Sequence, residues 1–426
     1  MPRDNFRWLL TGRALRSFGT AFLTVVFPLY LAQEGMRGAG IGTILTLGGI
    51  ASAGLVVAVG LLGDRFGRRV MLVGLAAAGA VGGVLMAVTG NPAVVTLASG
   101  IGGVGRGGGA GSGGAWGPVF PAEQPLLASS VPAARRTAAF GQIAFVGVLA
   151  GAAGSLVALL PGRLHAAGLP WLEAYRAIFL LGALLAVAML IVTLPLREPP
   201  VAPAPPAAPQ PGTLTTAQLV TRLGLTNGLN GLGIGFLGPL LTYWFHVRYG
   251  VGSGELGLLY AAINLATALP YLGAARLAER LGAVRAVVVS RSFTVGLLLA
   301  MAVMPTFLLA GLAFLLRMAF NSLGLPARQS YVMGVADERQ RGTVAALGSL
   351  PSLLTSTVSP VVGGILMETV LNTPLYGAAI FTGANIVTYY YAFRHIRPPE
   401  EARPAAPVPA PAPPLAGMGT GRGAAP

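Results

Sequence analysis

Twelve times along this chain an apolar run of about 20 residues returns, the length a helix needs to cross the hydrocarbon core of a bilayer. The runs fall near 9–32, 41–62, 70–90, 93–114, 138–160, 175–195, 219–245, 255–275, 285–304, 306–327, 346–367 and 374–394. Charged residues make up only 10% of the chain, hydrophobic residues 54%, and mean hydropathy is +0.72. A soluble domain carries about 25% charged residues, so the solvent for most of this chain is lipid. The expected fold class is an all-α membrane protein of twelve transmembrane helices. The 62 glycines suit such a bundle, because small residues let helices approach closely in a membrane.

Several classes of function fall away at once. The chain has no cysteine, which excludes disulfides, thiol catalysis and cysteine metal sites. All 28 basic residues are arginine, and the net charge is +15. These arginines are scattered through membrane-flanking loops and build no basic domain, so nucleic acid is not an expected partner. Arg3 and Arg7 precede an apolar stretch that continues to Ala32 without a small-x-small cleavage site. The amino terminus therefore reads as an uncleaved first span.

Between the sixth and seventh runs lies REPPVAPAPPAAPQPG (197–212), a polyproline-like, flexible linker. The expected organisation is an N-terminal six-helix bundle (1–196), a cytoplasmic linker (197–217), a C-terminal six-helix bundle (218–397) and a disordered, Pro- and Ala-rich cytoplasmic tail (398–426). Arginine bias sets the orientation. With both termini inside, the inner segments hold 20 arginines and the outer loops four, Arg37, Arg163, Arg176 and Arg248. The expected location is the cytoplasmic membrane, with the lipid bilayer as a partner.

The loop between the second and third runs is the densest polar turn in the chain: Gly60-Leu61-Leu62-Gly63-Asp64-Arg65-Phe66-Gly67-Arg68-Arg69. Gly60 lets two helices approach. Asp64 can accept N–H groups at a neighbouring helix N-terminus. Gly67 makes the turn, and Arg65, Arg68 and Arg69 stay in water to meet carboxylates or lipid phosphates. The pattern G-x-x-x-D-R-x-G-R-R resembles the signature loop of the major facilitator superfamily, secondary transporters of twelve spans. The halves also repeat. Pro28 matches Pro239, which sets Arg16 opposite Asn227 and Gly19 opposite Asn230. GDRFGRR (63–69) matches AERLGAV (278–284), Arg106 matches Arg317, Pro121-Ala122-Glu123-Gln124 matches Pro326-Ala327-Arg328-Gln329, and Arg135-Arg136-Thr137 matches Arg341-Gly342-Thr343. A six-plus-six repeat of this kind resembles the parallel-repeat arrangement of the family, with substrate between the halves near the midplane.

Polar residues inside the runs form stripes at helical spacing: Arg13, Arg16, Thr20 and Thr24 in span 1, Asn227 and Asn230 in span 7, Tyr260, Asn264, Thr267 and Tyr271 in span 8, and Arg317, Asn321 and Arg328 in span 10. Spans 3 and 6 are nearly free of strong polar groups, a split that resembles the family's lipid-facing third spans. Ionisable groups in a membrane are costly and normally face a cavity or a partner. The candidate cavity residues are Arg13, Arg16, Arg106, Asn227, Asn230, Tyr260, Asn264, Arg317 and Asn321. For Arg13 and Arg16 a second reading stands, snorkelling to the surface. The serines of span 11 read as interhelical hydrogen-bonding residues, and Glu34, Glu255 and Glu368 as surface charges.

Glu123 has two readings. A half-buried carboxylate can carry a proton as a site alternates. By resemblance to the family, it instead latches to Arg65 or Arg68, and the latch is the preferred expectation. Arg106 resembles the family's span-4 arginine, tied to proton coupling. The segment GRGGGAGSGGAWGPVFP (105–121) is too rich in glycine for a rigid helix, so a broken segment is expected there. Span 5 has Gly147, Gly151 and Gly154 without the proline of the drug-antiporter motif, while SPVVGG (359–364) in span 11 is a closer copy.

The function the resemblance implies is secondary active transport of a small organic solute by alternating access, as export, with protons as a coupling partner. A phosphate-binding G-x-x-x-x-G-K loop is impossible in a chain without lysine, so gradients drive the cycle. Two rivals stand beside it: an organic-anion exchanger or uniporter with an arginine-lined cavity, and a non-transporting receptor on the same fold. No enzyme activity, metal or cofactor is expected, and monomer is the family's usual state.

Overall fold

The computed structural model describes residues 2–102, 117–131, 136–198, 216–268, 280–335 and 341–394. Residues 199–215 of the proline-rich linker, the tail, most of the glycine-rich stretch of span 4, Arg106 and Tyr271 lie outside the described residues. So does the side chain of Asp64.

The described chain is helical throughout. The N-terminal half contains α1 (Pro2–Gln33), α2 (Gly38–Phe66), α3 (Arg68–Val88), α4 (Pro92–Gly102), α5 (Phe120–Ser130), α6 (Arg136–Ser155), a 3₁₀ turn (Leu156–Leu159), α7 (Leu160–Ala166) and α8 (Trp171–Thr193). The C-terminal half contains α9 (Thr216–Leu237), α10 (Leu241–Tyr249), α11 (Ser253–Ala268), α12 (Ala283–Val303), α13 (Phe307–Val335), α14 (Arg341–Thr369) and α15 (Thr373–Phe393). Seven stretches among the described residues are long and apolar enough to cross a membrane. Span 4 is represented by α4 and α5, and span 7 by α9 and α10. The matched prolines behave differently. Pro28 sits inside a continuous α1, whereas Pro239, which has no N–H to donate, falls in the turn between α9 and α10.

Packing repeats between the halves. The α1 helix packs on α6 and α8, as α9 packs on α14 and α15. The α3 helix packs on α4 and α8, as α12 packs on α13 and α15. Across the molecule, α2 meets α14 and α11 meets α6. Each half thus has its own set of neighbours, and two helix pairs carry most of the contact between the halves, with smaller contacts of α1 on α10 and α11 and of α11 on α7 and the 3₁₀ turn.

Both joining pairs close near the end of the bundle that α1 reaches at Gln33. There α2 and α14 approach backbone to backbone. A Cβ on Gly38 would lie 2.6 Å from the Gly364 carbonyl oxygen, and one on Gly42 would strike the Pro360 carbonyl. The Ala39 N–H donates to Glu368 Oε1 at 2.9 Å, and the Val361 N–H donates to Thr46 Oγ1 at 3.1 Å. On the other side a Cβ on Gly257 of α11 would lie 2.6 Å from the Ser155 carbonyl oxygen. A large core of buried side chains, including Phe27, Tyr30, Phe179, Trp244, Phe245 and Phe314, fills this end across both halves. At the opposite end, marked by Arg68, α5 packs on α1, α2, α3 and α6 of its own half. Gly60 departs from its expected role, since a Cβ there would meet open space.

Candidate functional site

The N-terminal half buries two arginines against one carboxylate. Arg13 and Arg16 stand three residues apart on α1, hence on one face, and Glu123 occupies the first turn of α5. Arg13 Nη1 donates to Glu123 Oε2 at 3.3 Å, and Arg16 Nη2 donates to the same oxygen at closer range. The side chains of Arg13, Arg16 and Glu123 are 2%, 10% and 4% exposed. That burial excludes snorkelling for either arginine. It also redirects Glu123, which faces α1 rather than Arg65 or Arg68, because α5 packs inward on its own half. Glu123 is the one buried carboxylate among the described residues. Arg13 Nε is buried without a hydrogen-bond partner. Arg16 borders a cavity of about 120 Å³ inside this half, together with Thr20 and Ser52.

The signature loop has a different anchor from the one expected. Gly67 takes φ 95° and ψ 139° and donates its N–H to the Gly63 carbonyl at 3.1 Å, closing α2. A Cβ at Gly67 would lie 2.7 Å from Glu198 Oε2. Glu198 Oε1 accepts the Arg68 N–H at 2.8 Å, at the N-terminus of α3 where an acid is favoured. The Arg69 guanidinium donates to the Leu194 carbonyl. Arg65 lies over the Phe66 ring at 5.5 Å. The loop is therefore tied to the end of span 6, a partner that sequence reasoning missed. Its only signal was a lone acid just before the proline-rich stretch.

In the C-terminal half amide oxygens meet the buried arginine among the described residues. Arg291 on α12, 7% exposed, donates to Asn230 Oδ1 at 2.8 Å and to Asn385 Oδ1. Asn385 donates in turn to the Thr226 carbonyl. Asn227 donates to the Gly348 carbonyl at 2.7 Å and ties α9 to α14. Both asparagines of span 7 are thus engaged inside their own half. Sequence reading singled out neither Arg291 nor Asn385 as a site residue.

Near the plane between the halves, Asn264 on α11 donates to Ser155 Oγ of α6 at 3.4 Å and to the Tyr260 carbonyl at 3.0 Å. One turn earlier, the buried Tyr260 hydroxyl shares a hydrogen bond of 3.1 Å with Thr242 Oγ1. The Tyr260 ring lies 5.9 Å from the Phe314 ring of α13. Arg317, three residues beyond Phe314, is within electrostatic reach of Tyr260. Its contacts are the Met318 sulfur at 3.7 Å and the face of Phe314 at 5.9 Å. Arg317 Nε is buried without a hydrogen-bond partner, and Asn321 makes no hydrogen bond among the described residues.

The sequence profile of the Major Facilitator Superfamily matches residues 9–226 and again 223–422. The chain belongs to this superfamily. It is a multi-pass membrane transporter rather than an enzyme, built as two six-span repeats. No match was found among curated protein sequences. Among solved structures the chain is similar to a D-xylose-proton symporter at 14% identity, covering 93% of this chain and 98% of that one with a TM-score of 0.72. It is similar to a bacterial homologue of the iron transporter ferroportin in its inward-facing state at 15% identity, with 91% and 98% covered and a TM-score of 0.69. A bacterial homologue of the human lysosomal transporter Spinster, inward-facing and occupied, follows at 16% identity, with 91% and 96% covered and a TM-score of 0.68. At these identities the likeness establishes the fold.

Proposed function

We propose that this superfamily member carries a small organic solute across the cytoplasmic membrane by alternating access, its two halves rocking about the plane that holds Tyr260 and Asn264. The closure at the Gln33 end supports the reading most. Two sets of helices meet there through glycine backbones, a few hydrogen bonds and a shared apolar core, a contact between separately packed sets that can part without unfolding either half. The arginine bias favours a cytoplasmic Arg68 end, and the contacts between the described residues of the two halves gather toward the other end, which supports reading this conformer as inward-facing. For an exporter, the direction proposed, this is the loading state.

Within that cycle the signature loop, with Gly67 at its turn and Arg68 and Arg69 tied to span 6, moves with the N-terminal half as one piece. The Arg13–Arg16–Glu123 cluster keeps α1 and α5 together in both states. Glu123 is also the proposed proton acceptor if flux follows a pH gradient.

Gradient-driven flux in proteoliposomes tests this. The expected result is movement of a panel solute that responds to an imposed solute or pH gradient and needs no ATP. Comparison of the two protein orientations in the vesicle gives the direction. Binding of a solute with no flux under any gradient would overturn the reading in favour of a non-transporting receptor.

A further inference from the structure

Four described arginines, Arg13, Arg16, Arg291 and Arg317, stand deep in their helices, and three of them are spoken for. Arg13 and Arg16 converge on Glu123, and Arg291 is held by the amide oxygens of Asn230 and Asn385. Arg317 differs. It stands ten residues into α13, about 15 Å along the helix at 1.5 Å per residue, near the middle of the bilayer. It makes no ion pair among the described residues. The two described acids of the C-terminal half are engaged elsewhere, Glu255 with the Gly252 N–H and Glu368 with the Ala39 N–H. A guanidinium has five donors, and a sulfur and a ring face satisfy few of them. An ionised group left this way in a membrane span is costly and marks a pathway or a ligand.

The surroundings narrow the ligand. Asn321 lies one helical turn beyond Arg317 on the same face, with no hydrogen bond from its amide among the described residues. Tyr260 brings a hydroxyl from α11, the helix that meets the N-terminal half at Ser155 and Gly151. The other residues beside Arg317 are apolar: Phe314, with Phe245 behind it at 6.2 Å in the core, and Met318. One fixed positive charge, one hydroxyl, one amide and an aromatic wall suit a single carboxylate on an apolar body.

We infer that Arg317, with Tyr260 and Asn321, binds the carboxylate of an aromatic or aliphatic monocarboxylate substrate, and that the span-1 arginines do not. This rests on the transporter reading above and names its substrate class. Guanidinium and carboxylate pair through two parallel hydrogen bonds. The aromatic residues would take the apolar body, and one charge would leave a dicarboxylate or inorganic phosphate undercompensated.

The test uses the full chain in detergent, with thermal unfolding followed against benzoate, octanoate, succinate, inorganic phosphate and the uncharged analogue benzamide. Benzoate or octanoate should stabilise the wild-type protein and benzamide should not. Affinity should fall about a hundredfold in Arg317→Met. In Arg317→Lys, which keeps the charge and loses the fork, it should fall about tenfold. Tyr260→Phe, a smaller change to a buried ring, gives a second reading should Arg317→Met fail to fold; a several-fold loss is expected. Stabilisation that survives Arg317→Met unchanged would overturn the assignment, as would stabilisation by benzamide equal to that by benzoate, by succinate or phosphate alone, or by none of the five. Counterflow of labelled benzoate in proteoliposomes separates the two readings. Binding that depends on Arg317 without counterflow sinks the transporter and spares the site. Gradient-driven flux of a neutral solute without benzoate binding does the reverse.

Discussion

Both halves of the molecule bury arginine within their spans, and they neutralise it by different means. In the N-terminal half a carboxylate does the work: Glu123 takes Arg13 and Arg16 on one oxygen, leaving one net positive charge in a buried cluster. In the C-terminal half dipoles do it: Asn230 and Asn385 turn their amide oxygens to Arg291. The repeat matches Glu123 to Arg328, so the acid is absent from the corresponding place in the second half. The consequence is mechanical as well as electrostatic. A paired charge fixes two helices to each other, whereas amide oxygens solvate a cation without competing for a ligand's charge. Among the described residues, the half that shows no buried acid is the half in which Arg317 makes no ion pair.

The comparison breaks most sharply at Glu123. Glu123→Gln leaves two guanidiniums side by side without a counter-charge, and removing one partner of a buried ion pair costs about 3–5 kcal/mol. Thermal unfolding in detergent should show the largest loss of any single substitution considered. A change below about 1 kcal/mol would mean that water, not Glu123, solvates the pair. Next comes Asn385→Leu, which removes one of the two acceptors on Arg291. The expected cost is about 3 kcal/mol, from a buried charged donor left short. It should also loosen α15 against α9, seen as faster amide exchange at Thr226.

Gly38→Ala should have a smaller and different effect. The added methyl would meet the Gly364 carbonyl, an overpacking worth about 2 kcal/mol. It acts on the contact between halves, so it should shift the balance toward the conformer open at the Gln33 end while each half keeps its packing. Labelling of a single cysteine introduced by Ile41→Cys, a fully buried position on α2 in a chain with no native cysteine, should speed up. The smallest effect belongs to Glu198→Gln. It weakens an exposed cap on the Arg68 N–H, worth about 0.5–1 kcal/mol, and should change exchange at the start of α3 with little effect on unfolding.

The spans were legible because lipid forces a run length, and the repeat was legible because Pro28, Arg16 and the signature loop have partners at similar offsets in the second half. What stayed hidden were the pairings. Glu123 stood out as the buried acid, yet spacing along the chain does not say which neighbour α5 turns it toward. Arg291 and Asn385 are 94 residues apart, and Ala39 and Glu368 are 329 apart. No local pattern links such residues, because only the packing of whole helices brings them together. Asn227 and Asn230 were correctly read as polar groups within a span, but a carbonyl of α14 and a guanidinium of α12 engage them before any solute does. Arg106 and the glycine-rich break of span 4 fall outside the described residues and stand as expectations.

The central claim is that two rigid halves exchange closure between their ends. Paired spin labels test it directly. One pair, Ala39→Cys with Thr369→Cys, spans the closed end; the other, Leu62→Cys with Leu347→Cys, spans the opposite ends of α2 and α14. In liposomes, with the solute found by the stability panel, the account predicts two populations in which the first distance lengthens as the second shortens. Distances that stay single and fixed at both ends, with solute bound, would contradict it.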